Sequence, residues 1–187
     1  MQIILLNGPP GCGKDYAGAI LEEGIERSTQ MKLATEVKNM THRAYGLGDI
    51  EADHYEDHKD VGISDFRGVS PRSAYIQMSE CFMKPLHGDR IFGHILKAQI
   101  LFHSTRFSTV IVTDSGFRKE AEVLVAEFGA LDVLLVRIHL DGYDFASDSR
   151  SYLDLSDLGV QCLDIQNDGG PGFRSSLQTV FPPSRAS

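Results

Sequence analysis

Gly8-Pro9-Pro10-Gly11-Cys12-Gly13-Lys14 fits the spacing GxxxxGK. Glycines let a backbone curl round an anion with its N–H groups turned inward. A lysine closing such a loop reaches the outer phosphates of a nucleotide. Gly8, Pro10, Gly11, Cys12, Gly13 and Lys14 are therefore the candidate phosphate cradle, with Lys14 as its catalytic cation. The next position usually carries Ser or Thr, whose hydroxyl ligates Mg²⁺. Here it is Asp15, and a carboxylate is also a hard oxygen ligand for Mg²⁺. Asp114 ends the apolar run TVIVT and is the second candidate magnesium ligand. Its alternative role is to cap a helix starting near Phe117, since Asp114 and Ser115 both precede it.

Phosphate chemistry needs more cations than one lysine, preferably arginines with their two-pronged geometry. Arg72, Lys84, Arg118, Arg137 and Arg150 are the candidates, with Lys38 on the acceptor side. Arg72 follows Ser70, a capping residue, and Pro71, which suits the first helical position, so it sits at a helix start where an anion is favoured. Arg150 lies in a polar segment after the run VLLVRI and is placed to close on a transferring group. Arg137 is inside that run, so it pairs internally or projects into the site. Each of these arginines has the commoner alternative of a solvated surface side chain. Glu80 is a candidate hydrogen-bonding partner for the acceptor's sugar or base, against a routine helical glutamate. Asn167 and Asp168 are candidates for a wall round the donor base, against a plain turn at Asn-Asp-Gly-Gly. His54 and His58 have i, i+4 spacing, but the acidic, glycine-flanked surroundings favour a solvated loop over a zinc site.

These residues need a scaffold. Ile3 to Leu6 is a short apolar run closed by Asn-Gly, which predicts a buried strand. The glycine loop follows, and Lys14 to Arg27 has helical spacing. TVIVT (109–113) and VLLVRI (133–138) predict central strands, with a helix over 117–128 between them. A weaker strand over 160–165 and a helix over 172–181 complete the pattern, with the tail PPSRAS frayed. Such alternation predicts an α/β fold with a parallel sheet and helices on both faces. Residues 46–69 and 141–157 break it. Both are polar and acidic, and both read as long loops, mobile ones over a phosphate site or ordinary surface ones.

The 187 residues suit a single domain, 1–187, with an acceptor-binding insert over about 36–90 and a lid over about 140–157. The net charge of −8 argues against a nucleic-acid polymer or an anionic membrane surface as partner. Three widely spaced cysteines suggest neither a disulfide framework nor a zinc cluster, and a reducing compartment is the simpler setting. The start MQIILLNG lacks the basic flank and length of a signal peptide. A cytoplasmic protein is expected.

Taken together, these blocks resemble the phage deoxynucleoside monophosphate kinases, and the GKD variant is also similar to animal phosphomevalonate kinase. The first resemblance extends over most of the chain. It rests on GKD, on Ser70-Pro71-Arg72, on Val112-Thr113-Asp114-Ser115-Gly116-Phe117 with Glu120-Ala121-Glu122, on Asp148-Ser149-Arg150-Ser151-Tyr152, and on Asn167-Asp168-Gly169. Tyr16 departs from it, standing beside the phosphates where those enzymes often have Thr, and residues 46–69 match nothing in it. The resemblance implies a three-layer P-loop kinase fold with mobile acceptor and lid segments. It implies transfer of the γ-phosphoryl of ATP, with Mg²⁺, to a nucleoside monophosphate, in the host cytoplasm if the chain is phage-encoded. Lys14, Arg72 and Arg150 would be catalytic. Gly8, Pro10, Gly11, Cys12, Gly13, Lys14, Asp15, Tyr16 and Asn167 would hold ATP, Asp15 and Asp114 the metal, and Lys38, Arg72, Glu80, Asp114 and Arg118 the acceptor. A homodimer stays open. The other readings are a kinase of a non-nucleotide phosphate and a regulatory nucleotide-binding protein without transfer. A guanine-reading NKxD motif is missing, which counts against a GTPase.

Overall fold

The computed structural model describes residues 1–146 and 148–181. The expected frayed tail at 182–187 lies outside the described residues, as does Ser147 of the expected lid. Five strands, β1 (Gln2–Asn7), β2 (Ser28–Met31), β3 (Thr109–Ser115), β4 (Val133–Leu140) and β5 (Gln161–Asn167), form one sheet in the order β2-β3-β1-β4-β5. Every pairing is parallel.

Side chains alternate across a strand, so β1 divides its apolar run between two cores. Ile3 and Leu5 join Val110, Val112, Val133 and Leu135 on one face. Against them pack Val37 of α2 (Ala34–Ala44), Phe92, Leu96 and Ile100 of α5 (Ile91–Phe102), and Ala121 and Leu124 of α6 (Arg118–Phe128). Ile4 and Leu6 turn the other way, with Ile111, Val136, Ile138 and Ile165. There they meet Ala17, Ile20 and Leu21 of α1 (Lys14–Gly24) and Phe173 and Leu177 of α7 (Pro171–Val180). The result is the α/β architecture expected: a parallel sheet between two helical layers.

Three features differ from the sequence reading. β2, with the sequence STQM, is a half-buried edge strand whose polar residues hide it. Helix α1 ends at Gly24, three residues short of Arg27, because Ile25 turns to an extended conformation that leads into β2. Residues 46–69 are not a featureless loop. They hold two single-turn 3₁₀ segments, Glu56–His58 and Ser64–Phe66, and a small core of their own. Phe66 is its centre, fully buried, with Tyr45, Tyr55 and Tyr75 ringed round it at centroid distances of 5.0–5.9 Å. His42 of α2 joins from the side, 5.9 Å from Phe66, and bonds Tyr75 Oη at 2.8 Å.

Beyond the insert, α3 (Pro71–Ile76) widens into a π-helical stretch over Gln77–Met83 before returning to α4 (Lys84–His87). Ser70 caps α3 through a hydrogen bond from Ser73 N to its hydroxyl, with Pro71 in the first turn, as the sequence predicts.

Candidate phosphate-binding site

Ligands of open parallel sheets bind beyond the carboxyl ends of the strands, where the strand order reverses. The glycine loop occupies that place. It leaves β1 at Asn7, paired beside Ser115 of β3 and Arg137 of β4, and enters α1 at Lys14. Gly11 and Gly13 have φ of 78° and 97°, a left-handed backbone that favours glycine. Gly8 is needed for space: a Cβ there would stand 2.6 Å from both Cys12 Sγ and the Ile138 carbonyl oxygen. Cys12 is fully buried beneath the loop, which pushes its thiol pKa up. Asn167 acts as a strut. Its Nδ2 donates to the Cys12 carbonyl at 2.9 Å and its Oδ1 accepts from Gly169 N at 2.8 Å, so both ends of the amide are engaged in shaping the loop. Pro10 is exposed on the loop's rim, and Tyr16 leans toward Phe173 of α7, with centroids 6.3 Å apart.

Lys14 folds back over the loop. Its ammonium donates to the Gly8 and Pro9 carbonyls, each at 2.7 Å. Its third N–H points to Cys12 Sγ at 3.8 Å, a weak acceptor that an incoming oxygen would outcompete. Burial lowers its pKa, and the nearby charge of Arg150 pushes the same way.

Asp15 and Asp114 differ in character. The Asp15 side chain is 75% exposed; its Oδ1 accepts from Thr113 Oγ1 at 3.2 Å and meets Lys32 Nζ at 3.2 Å. Asp114 does cap a helix, but not the one that follows it. Its two oxygens accept from Leu33 N (2.8 Å) and Ala34 N (2.9 Å) at the start of α2. Helix α6 begins at Arg118, and its N-cap residue, Phe117, offers no side-chain cap. Burial raises the Asp114 pKa against the pull of those two N–H groups.

The segment after β4 brings Arg150 to the loop. Its aliphatic stem crosses Gly116, where a Cβ would come within 2.3–2.8 Å of it. Asp148 grips its guanidinium with both oxygens, at 2.8 and 2.5 Å, and raises its pKa. Asn7 ties this segment to the sheet: Nδ2 donates to the Ser115 and Ser151 carbonyls (2.9 and 3.0 Å), and Leu153 N donates to Oδ1 at 2.9 Å. Tyr143 lies over Gly11 from the same segment.

On the other side, the insert meets the loop through alternating charges. Asp15 pairs with Lys32 (3.2 Å), Lys32 with Asp53 (3.6 Å), Asp53 with Lys38 (2.5 Å), Lys38 with Glu56, and Glu56 with Lys59 (2.7 Å). Burial opposes the Lys38 charge, but its bonds to Asp53 and Glu56 outweigh that and raise its pKa. Arg72 is gripped by Asp60 through Nε at 2.5 Å and Nη2 at 3.3 Å. That bond raises its pKa, and Glu56 and Asp148 lie close enough to add to the effect. Arg72 thus lies within electrostatic reach of Asp148, the residue that holds Arg150.

Not every candidate cation converges there. Arg118 is spent on Glu122, the Asp154 carbonyl and Asp157, at 3.1, 2.6 and 2.6 Å, which staples α6 to the segment before β5. Arg137 pairs internally with Asp164 on the next strand, at 2.9 and 2.5 Å. Glu80 is exposed and holds Lys84 at 2.6 Å, with Lys84 in turn 4.4 Å above the Phe117 ring. His54 and His58 are exposed, and among the described residues no group of three His, Cys, Asp or Glu is arranged to hold a metal. Lys32, Asp53, Glu56 and Asp60 escaped the sequence reading, because they sit in segments with no motif and only the fold brings them near the loop. Asp148 lies in the 148–152 block, but its grip on Arg150 was not foreseen.

No family model matches the chain, and no curated protein matches it. Among solved structures, the tunicamycin resistance protein of Deinococcus radiodurans is similar over 100% of this chain and 98% of its own, with 14% identity and a TM-score of 0.47. A likeness that distant carries no functional weight.

Proposed function

We propose that the protein is an ATP-dependent phosphotransferase whose acceptor is a nucleoside monophosphate. One observation carries this reading: cations from two other parts of the chain come close to the glycine loop, Arg150 near enough for its charge to act on Lys14, and Lys38 linked to Asp15 of the loop through Lys32 and Asp53. A protein that only bound a triphosphate would need the loop. Further cations from separate segments suit two anionic reactants.

The loop N–H groups and the third N–H of Lys14, turned from Cys12 Sγ, hold the donor's outer phosphates. Arg72 and Lys38 orient the acceptor phosphate. Its oxygen is already anionic, so no general base is required. Arg150, fixed by Asp148, neutralises charge on the transferring group. Catalysis is then positioning and charge neutralisation. Mg²⁺, when bound, would neutralise phosphate charge. Exposed Asp15 suits it, since Mg²⁺ keeps several waters and takes few protein ligands. Asp114, with both oxygens occupied by α2, suits a contact through water. Asn167 supports ATP binding by shaping the loop.

Release of ADP from ATP·Mg²⁺ across a panel of ribo- and deoxynucleoside monophosphates is the direct test. Turnover with at least one of them is expected, and Lys14→Met lowers it roughly a hundredfold or more. No ADP above background with every acceptor ends this reading.

A further inference from the structure

The acceptor-side cations are already matched with carboxylates, and these come from residues 46–69, the stretch that lies outside the resemblance. Asp60 takes Arg72 in the two-pronged manner that a phosphate takes a guanidinium. Asp53 and Glu56 together take Lys38. These carboxylates are held in place by the insert's own core. Tyr55 lies between Asp53 and Glu56 in sequence, is buried against Phe66 at 5.1 Å, and donates to Asp65 at 2.7 Å. Its anchoring fixes the turn that carries Asp53, Glu56 and Asp60. Asp57 shares that turn, is exposed, and pairs with no cation among the described residues.

We propose that Asp60, with Asp53 and Glu56, is a built-in competitor for the acceptor phosphate: it occupies Arg72 and Lys38 until a phosphate monoester displaces it. This rests on the reading of Arg72 as an acceptor cation. The exchange is selective by charge. The Arg72–Asp60 pair is exposed, and pairs of that kind are individually weak. A phosphate dianion carries twice the charge of a carboxylate and one more oxygen, so it wins the guanidinium. A monoanionic carboxylate ligand gains nothing by the exchange and is turned away.

The test is calorimetric titration of the full chain with inorganic phosphate, and separately with the best monophosphate of the acceptor panel. Asp60→Asn is expected to tighten phosphate binding roughly 1.5-fold to fivefold, the range of a weak exposed pair. The acceptor KM should fall by a similar factor, and Asp57→Asn should leave phosphate affinity as it was. Arg72→Gln should weaken binding, and Asp60→Asn added to it should give no further gain. Unchanged or weaker binding in Asp60→Asn overturns the proposal. So does an equal gain in the Arg72→Gln background or from Asp57→Asn, because the effect would then be general charge removal. If no monophosphate is phosphorylated yet Asp60→Asn tightens phosphate through Arg72, the competition stands and the kinase reading falls.

Discussion

Glu120, on the first turn of α6, is 3% exposed. Burial pushes its pKa up to about 8; the charges of Asp114 and Glu80 add to that, and Lys84 and Arg150 oppose it. The ordinary value is 4.5, so the folded chain holds this proton more tightly than the unfolded one. Its contribution to stability is full below pH 4.5 and is lost as pH rises toward 8. Glu120→Gln removes that loss. Thermal melts from pH 5 to pH 9 should show the variant gaining on the parent as pH rises, by on the order of a few kcal/mol at the alkaline end. A constant difference across the range would mean the carboxyl is not buried as described. Residue by residue, the sequence was a good guide where the chemistry is local. The glycine loop and Lys14 are contiguous, and their order alone implies the cradle. Asp114 shows the limit. Its capping role was legible from its type, but its partners, Leu33 and Ala34, lie about 80 positions away and only the sheet brings them together.

Among the elements, the central strands were plain because both faces of a parallel sheet are buried and the runs are apolar throughout. Strand β2 was hidden because an edge strand is half buried and its residues, Ser28, Thr29 and Gln30, carry no such run. The insert was misread for a related reason. Its acidic residues dominate its composition, whereas its order comes from a few aromatics spaced without a period. Phe66 is the keystone of that unit. Phe66→Ala should cost about 3–5 kcal/mol, spent locally on the insert. Amide exchange should accelerate over residues 46–69 while β1, β3 and β4 stay protected. Uniform acceleration across the sheet would show that the insert is not a separate cooperative unit.

For the whole molecule, the two helical layers make the sheet the rigid part, and the cations of the cleft ride on segments at its carboxyl edge. The sequence implied that layout from alternation alone. It did not show how thoroughly the cleft's charges are balanced by the chain's own carboxylates, because that balance depends on which of 26 acidic residues lie near which cation. A ligand that binds only the folded form must raise the melting temperature. ATP·Mg²⁺ at a hundred times its dissociation constant should raise it by roughly 5–10 °C for a chain of this size. A chelator should remove most of that gain, and no shift at all would argue against the phosphate loop. The strut from Asn167 to the Cys12 carbonyl joins residues 155 positions apart. Its consequence concerns biosynthesis. The loop leaves the ribosome well before its brace, which belongs to the last strand of the sheet. Nascent chains that stop short of β5 would carry the complete motif without this brace, so the braced shape of the loop arrives with residue 167 and not with residue 14.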